Sequence, residues 1–467
     1  MTSPQATRPE LLVSLSNAVQ EGMPAAIADL SRLVRIPSVS WAAFDPKHVA
    51  DSARAVSELV TQLGVFDTVE VKEARIGTGD TLGQPAVLAR RAPRGGKPTV
   101  LLYAHHDVQP QGKDEDWQSP PFEPTVRGDR LYGRGASDDK AGVLAHIAAI
   151  RALIETVGAD FDLGLVLFIE GEEEFGSRSF KNFLIDNKDT LAADVIVVAD
   201  SDNWDVDTPA LTVRLRGNVT FKLTVSTLAH ASHSGMFGGA VPDAMLAMIQ
   251  LLATLHDPDG SVAVAGLTGG ESDTPDYPES RLREEAALLD GVTPIGTGSI
   301  LSRIWSKPAI TVTGIDAPSV ANASNTLSPV VSVRLSARIA PGQSASDAYE
   351  HLERHLRSHA PFGAHLEIED VDLGNPFQVD TSGWAVAEVH QAMADAWGTA
   401  AVEAGIGGSI PFIADLVQVF PSAQILVTGV EDPDTRAHSP NESLHLGVFR
   451  RAILTEALFL ARANERG

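Results

Sequence analysis

The stretch Thr99-Val-Leu-Leu-Tyr-Ala-His-His-Asp107 decides the fold, because an apolar run ends abruptly on histidines and an aspartate. The run from Thr99 to Tyr103 predicts a buried strand. After a short polar loop, Gly-Arg-Gly-Ala-Ser-Asp-Asp at 133–139 leads into an apolar-periodic segment at 143–157, which predicts a helix. Ligands of α/β sheets bind beyond the carboxyl ends of the strands. The stretch therefore places candidate metal ligands where such a sheet places its active site.

Three later segments follow the same plan, since each is an apolar run that leads to acidic or histidine residues. They are Leu163–Ile169 before Glu170-Gly-Glu-Glu-Glu174, Val195–Ala199 before Asp200-Ser-Asp202, and Gln424–Gly429 before an acidic loop and His438. Four strand ends that carry such side chains are expected to converge on one crevice.

The order of predicted elements indicates an α/β fold, a mostly parallel sheet with helices on both faces. Strands that alternate apolar and polar residues begin near Ala210 and indicate an antiparallel, half-exposed sheet. We therefore expect a catalytic domain at 1–211 and 376–467, with an inserted α+β domain at 212–375. The predicted helices are 11–33, 49–63, 143–157, 178–187, 242–255, 344–358, 384–397 and 445–463, and the predicted strands are 66–74, 85–89, 99–103, 163–169, 195–199, 210–217, 219–226, 330–339, 365–371 and 424–429.

Composition excludes several classes of function. The chain has 467 residues and a formal net charge of −25, which opposes nucleic-acid binding and acidic membrane surfaces. It has no cysteine, so disulfides, thiolate ligands and a cysteine nucleophile are absent. No apolar run is long enough to span a membrane, and no signal-peptide pattern is present. A cytoplasmic location is expected.

The candidate ligands are one nitrogen donor, His105, and three oxygen donors, Asp138, Glu174 and Asp200. A mixed nitrogen and oxygen set without thiolates suits zinc, or less selectively manganese or cobalt. The run at 172–174 also fits a solvated acidic turn or a helix start stabilised by the dipole. Adjacent carboxylates nevertheless offer something specific, because one can bind metal while its neighbour accepts a proton.

Other motifs give no competing chemistry. The glycines at 133 and 135 are followed by acidic residues, which argues against a nucleotide-binding loop. Ser409 lies in Gly407-Gly-Ser-Ile-Pro411, which is not a nucleophile elbow. His146 lies inside a predicted helix, and we expect it to be structural.

The chain resembles the dizinc exopeptidases and amidohydrolases that include carnosinases, bacterial dipeptidases, glutamate carboxypeptidase and aminoacylase, and it is most similar to the dipeptidase and carnosinase branch. The resemblance covers nearly the whole chain, and its motifs occur in order. They are Tyr103-Ala-His-His-Asp-Val-Gln-Pro110, Leu131-Tyr-Gly-Arg-Gly-Ala-Ser-Asp-Asp-Lys140, Glu170-Gly-Glu-Glu-Glu-Phe-Gly-Ser177, His233-Ser-Gly-Met-Phe-Gly-Gly239, Gly407-Gly-Ser-Ile-Pro411 and Ala437-His-Ser-Pro-Asn-Glu442.

The resemblance implies two divalent metal ions per chain, zinc in the first place and manganese or cobalt as alternatives. His105 and Asp200 would bind one ion, Glu174 and His438 the other, and Asp138 would bridge both.

The resemblance also implies that Glu173 is the general base and that Asp107 orients His105. Asp202 rivals Asp200, which is preferred because its spacing to Pro209 matches the family without a gap. The peptide bond after Asp138 is expected to be cis.

Substrate recognition is implied for His233, Asn325, Arg338 and Ser409. Arg338 would bind the substrate carboxylate, and its offset from Asn325 favours it over Arg334. The inserted domain would act as lid and form a homodimer, with His233 reaching the partner's metal centre. The chain departs from the carnosinases in one place: Gly405-Ile406 replaces an Arg-Glu pair, which bears on recognition of the free amine.

These features lead us to expect a metallopeptidase that hydrolyses dipeptides or short peptides with a free carboxylate. A glutamate would activate a water between two metal ions. The alternative is an N-acyl-amino-acid deacylase with the same chemistry. A third possibility is a hydrolase of another mechanism or a metal-binding protein without catalysis.

Overall fold

A computed structural model of the protein describes residues 9–272, 274–407 and 411–466. The helices are α1 Pro9–Val34, α2 Lys47–Gln62, α3 Lys140–Val157, α4 Phe180–Asp186, α5 Lys188–Leu191, α6 Ser234–Phe237, α7 Ala244–Ala253, α8 Glu279–Glu285, α9 Ile300–Trp305, α10 Ala345–Ser358, α11 Trp384–Trp397, α12 Pro411–Val419 and α13 Leu446–Glu465. The strands are β1 Thr68–Lys72, β2 Ala86–Arg91, β3 Thr99–His105, β4 Thr125–Arg127, β5 Arg130–Tyr132, β6 Gly164–Glu170, β7 Val195–Ala199, β8 Ala210–Leu215, β9 Gly217–Ser226, β10 Ser232–His233, β11 Ala309–Asp316, β12 Thr326–Leu327, β13 Val330–Ile339, β14 His365–Gly374, β15 Phe377–Gln378, β16 Val402–Ile406, β17 Gln424–Thr428 and β18 Ser443–His445.

The chain forms two compact units. The first comprises Met1–Val213, Val379–Ala404 and Asp415–Gly467, and the second comprises Arg214–Gln378 and Gly405–Ala414, each within its described residues. The domains expected from the sequence, with boundaries at 211/212 and 375/376, stay a prediction.

The first unit is built on a mixed sheet with the order β1-β2-β6-β3-β7-β17-β8. The four central strands, β6, β3, β7 and β17, are parallel, while β1, β2 and β8 are antiparallel to their neighbours. The parallel strands are buried along nearly their whole length, as expected where helices cover both faces. The structure thus confirms the predicted α/β class with a mostly parallel sheet.

The second unit is α+β. Its antiparallel sheet has the order β11-β13-β9-β14, and residues of α7 and α10 pack with the sheet in one apolar core. Alternate residues of β13 are buried, so that Val331, Val333 and Leu335 lie in the core while Ser332 and Arg334 do not. This period of two is the pattern of a sheet with one covered face.

Strand β8 differs from its prediction. The alternation from Ala210 predicted a half-exposed strand, but Thr212 is 1% exposed and pairs with Val427 of β17. Burial is compatible with this polar residue because its hydroxyl forms a hydrogen bond of 2.7 Å with Ser201 Oγ. From the sequence alone, a buried threonine whose hydroxyl is hydrogen-bonded cannot be distinguished from an exposed threonine.

Helix α3 begins at Lys140, three residues before the predicted start at Val143. Lys140 is fully buried, and its ammonium group donates to the carbonyls of Leu33 at 2.9 Å and Ile36 at 2.7 Å. The contact joins the start of α3 to the end of α1. None of the helices in the described part of the chain has the length and apolar character needed to cross a membrane.

Candidate metal centre

The carboxyl ends of the parallel strands supply the candidate site. His105 is the last residue of β3, and Asp200 directly follows β7. Strand β6 leads into a short turn at Glu173–Phe175, and β17 precedes the loop that carries His438. Since parallel strands end at the same edge of a sheet, these segments meet in the first unit.

Two groups of candidate ligands form within the described residues, and the ligand atoms of each group lie within 4.8 Å of one another. The first contains His105, Asp139 and Asp200, and the second contains Asp138, Glu174 and His438.

Asp138 belongs to the second group and also faces His105 of the first. Its Oδ1 is 3.2 Å from His105 Nε2 and its Oδ2 is 2.9 Å from His438 Nε2. His438 Nε2 also lies 3.3 Å from Glu174 Oε2, and His105 Nε2 lies 3.9 Å from Asp200 Oδ1. One carboxylate therefore faces both histidines, which is the arrangement that a bridging ligand requires.

The environment of His105 fits a cation. Its Nδ1 lies 3.2 Å from the carbonyl oxygen and 3.3 Å from the carboxylate of Asp107. Both groups accept, so Nδ1 carries a hydrogen, and in the neutral ring the lone pair is on Nε2. Nε2 is buried and has no hydrogen-bond partner among the described residues, although carboxylate oxygens surround it. The imidazole nitrogen and the carboxylate oxygens around it together form the set of donor atoms that a metal site needs.

The pKa values of the site reflect its crowded charges. Burial and, second to it, the charge of Asp138 raise the pKa of Glu174 to about 7. Burial likewise raises the pKa of Asp200 to about 6. Hydrogen bonds to Asp138 and Glu174 raise the pKa of His438 to about 11. Divalent cations would compensate this excess of negative charge.

Asp107 contacts the glutamate turn as well as His105. Its two carboxylate oxygens accept the backbone N–H groups of Glu173 and Glu174, each at 3.1 Å. The same side chain thus fixes the glutamate turn. The carboxylate of Glu173 has no hydrogen-bond partner among the described residues, and burial raises its pKa well above the ordinary value. Such a carboxylate can accept a proton.

The structure also distinguishes neighbouring aspartates. Asp139 belongs to the first ligand group and accepts the backbone N–H of His105 at 3.1 Å, although sequence reasoning gave it no role. Asp202 belongs to neither group; its backbone pairs with Glu431 in an isolated bridge. The Asp138–Asp139 peptide bond is cis, as expected.

Glu442 is a buried residue that the sequence analysis missed. It forms an ion pair with Arg134 at 2.6 Å and accepts the backbone N–H groups of Gly135, Ser137 and Asp138 at 3.0–3.1 Å. It thereby joins the loop of His438 to the loop of Asp138. The available signal was its place in the motif at 437–442, where only the histidine was interpreted.

The predicted substrate residues lie in the second unit or outside the described residues. His233 and Asn325 are adjacent, since Ser234 N donates to Asn325 O at 2.9 Å. Arg338 is on β13 and half-buried, whereas its rival Arg334 is exposed and pairs with Asp370 at 3.3 Å. Ser409 lies outside the described residues.

The fold and the paired ligand groups define an α/β metallohydrolase. The family model described as peptidase family M20/M25/M40 matches residues 101–462. The chain is 34% identical over 423 residues to cysteinylglycine-S-conjugate dipeptidase of Corynebacterium striatum, covering 89% of this chain and 91% of that protein. It is 28% identical to human Beta-Ala-His dipeptidase, covering 87% and 85% of the two chains.

The chain therefore belongs to peptidase family M20/M25/M40, as the motifs led us to expect, and it is a metallopeptidase. Two solved structures share its fold. Dug1p of Saccharomyces cerevisiae, described as a di-peptidase, has a TM-score of 0.77 at 24% identity and covers 97% of this chain and 99% of its own. Human carnosine dipeptidase 1 has a TM-score of 0.77 at 24% identity, with 99% and 100% covered.

Proposed function

We propose that the protein hydrolyses dipeptides that carry a free carboxylate, with two divalent metal ions per chain. The observation that carries the proposal is the position of Asp138, whose two carboxylate oxygens face His105 of one ligand group and His438 of the other. The dipeptidase names of the relatives support the substrate class.

The proposed mechanism assigns a task to each residue. His105 and Asp200 would hold one ion, Glu174 and His438 the other, and Asp138 both. Bound there, two metal ions would polarise the scissile carbonyl and lower the pKa of a water. Glu173 takes the proton of the attacking water and delivers it to the leaving amine, a role worth about 10²–10⁴-fold in rate. Zinc is the first candidate because the donors are imidazoles and carboxylates.

In the second unit, Arg338 would bind the substrate carboxylate through its planar guanidinium group. His233, Asn325 and Ser409 would contact the peptide. The deacylase alternative retains one argument, the Gly405-Ile406 pair that stands where carnosinases carry an acidic residue.

We also propose that the protein is a cytoplasmic homodimer in which residues 212–375 form the lid and dimerisation domain and residues 1–211 and 376–467 form the catalytic domain. Exposed apolar side chains in the second unit support an interface, among them Ile249 of α7 at 57% and Ile315 of the edge strand β11 at 55% exposure. The acidic charge and the lack of cysteine support the location.

The decisive experiment is an assay of metal-free protein reloaded with Zn²⁺, Mn²⁺ or Co²⁺. We expect turnover of cysteinylglycine and alanylglycine, slower turnover of N-acetyl amino acids, and about two metal ions per chain by elemental analysis. Faster turnover of the acetylated compounds would favour the deacylase. Activity in protein that contains no metal would contradict the mechanism.

A further inference from the structure

Four positively charged side chains lie on the polar face of the second unit's sheet, and only two of them form ion pairs within the described part of the chain. Residues of β9 and β13 that point away from the apolar core include Lys222, Arg334 and Arg338, and Arg216 precedes β9 in the same alternation. Lys222 pairs with Glu369 at 3.0 Å, and Arg334 pairs with Asp370 at 3.3 Å. Neither Arg216 nor Arg338 has a carboxylate within ion-pair distance among the described residues. Two charges at one end of the face are thus uncompensated.

These two arginines lie near each other. Arg338 is paired in register with Asn218, two residues after Arg216. Burial and, to a smaller extent, the positive charge of Arg338 together lower the pKa of Arg216 to about 10. Burial also lowers the pKa of Arg338. Both side chains remain charged at neutral pH, because a guanidinium group stays protonated throughout the physiological pH range. An anion is the ligand that such a pair binds.

Arg216 is also a backbone clamp. The residue is 8% exposed, and its Nε donates to the carbonyl of Gly407 at 3.1 Å. Its Nη1 donates to the carbonyl of Arg303 at 3.4 Å and to the carbonyl of Lys307 at 3.3 Å. It therefore joins Gly407, the first residue of the motif 407–411, to the last turn of α9 and to the residues that follow this helix. A lysine offers a charge but lacks the planar fork that makes these contacts together.

We propose that Arg216 is a positioning residue for recognition of the substrate's C-terminal carboxylate. It acts in two ways: it holds Gly407 in place, and its uncompensated charge draws an anion to the guanidinium group of Arg338. This inference rests on the proposed function, because the anion is the carboxylate of the peptide. Arg216 itself needs no contact with substrate.

The test compares a substrate that has the carboxylate with one that lacks it. Kinetics of alanylglycine and of alanylglycine amide are measured for wild type, R216Q, R216K and R334Q. For R216Q we expect the KM of alanylglycine to rise about 10–100-fold, the effect of a charge-assisted contact, while the KM of the amide changes little. R216K should recover part of the loss, because it restores the charge without the clamp.

R334Q is the matched control, since it removes an arginine from the same face that Asp370 already compensates. It should leave both substrates unchanged. An equal change for the carboxylate and the amide in R216Q, or no change in either, would overturn the inference. If R216Q fails to fold, the kinetics of R216K provide the test. Wild-type kinetics in R216K, or an equal loss for both substrates, would contradict the proposed positioning role of Arg216. Wild-type protein that cleaves neither peptide with metal added would instead disprove the proposed function.

Discussion

Glu173 and Glu174 are consecutive, yet their carboxylates have different surroundings. Glu174 lies 3.3 Å from His438 and accepts a hydrogen bond of 2.6 Å from Gln109 Nε2, whereas the carboxylate of Glu173 has no partner among the described residues. Glu173→Gln should therefore keep both metal ions and lose about 10²–10⁴-fold in kcat, because an amide cannot accept a proton. Glu174→Gln should mainly weaken one metal site. Metal content and kcat of the two variants are the measurements; equal loss of both quantities in both variants would show that the roles are misassigned.

The sequence indicated the candidate metal ligands, but it did not indicate the buried residues that hold the ligand-bearing loops in place. His105, Asp138 and Glu174 were recognisable because each follows an apolar strand or opens a helix. Lys140 and Glu442 were not, since they act by burial against backbone groups that are distant in sequence. Hydrophobic periodicity carries no information on which polar side chain will be buried and satisfied.

Glu442 illustrates how one loop positions another. Because its carboxylate accepts three backbone N–H groups next to Asp138, it fixes the loop from which that aspartate projects. Glu442→Gln should weaken metal affinity about 10–100-fold, as loss of a group that supports ligands does. The affinity is measured by competition with a chelator. Glu21→Gln, at an exposed position of α1, is the control and should match wild type. Unchanged affinity in Glu442→Gln would mean that the loop holds its shape without the carboxylate.

Helices α3 and α13 are joined by a buried pair, His146 and Glu456. His146 Nδ1 lies 2.8 Å from Glu456 Oε2, and its Nε2 donates to the carbonyl of Tyr103 at 2.9 Å. This placement agrees with the structural role expected for His146. Burial alone would lower the pKa of His146, but the carboxylate of Glu456 outweighs burial and the pKa is raised.

The sign of the pH dependence follows from that shift. The stabilisation is complete below the unfolded-state pKa of about 6.5 and disappears as pH rises through the higher folded-state pKa. The difference in unfolding free energy between wild type and Glu456→Gln should therefore be larger at pH 6 than at pH 9. It should fall by about 1.4 kcal/mol for each unit of pKa shift. Urea unfolding at both pH values measures it, and a constant difference would argue against a charged histidine.

At the scale of the whole chain, the parallel sheet was predictable because buried strands and helices alternate in sequence. Strands β7 and β13 and helix α11 have the predicted bounds, since each is bounded by turn or polar residues. Partners across long sequence distances were not predictable. The pairing of β17 with β7, residues 424–428 with 195–199, brings a C-terminal strand into the middle of the sheet. Only tertiary packing decides such a pairing.

His233 carries the last prediction, which concerns assembly. It lies in the second unit, it is exposed, and its Nδ1 accepts the N–H of Gly235 at 3.1 Å. In the neutral ring the hydrogen is then on Nε2, which has no partner among the described residues and is free to donate. We propose that it reaches the partner subunit's site and there stabilises the oxyanion formed on attack. Loss of one such donor costs about 10²–10³-fold in kcat.

The test mixes subunits that carry His233→Ala with subunits that carry Glu173→Gln. Each protein alone should be nearly inactive. If His233 acts across a two-fold interface, one site of every heterodimer combines an intact Glu173 with an intact His233. Activity should then reappear on mixing, up to about a quarter of the wild-type value, because half of the dimers are mixed and each has one complete site. As a control, each single variant is mixed with a variant that carries both Glu173→Gln and His233→Ala. These mixtures should show no recovery of activity. No recovery in mixtures shown to contain heterodimers would place His233 at its own chain's site or outside catalysis.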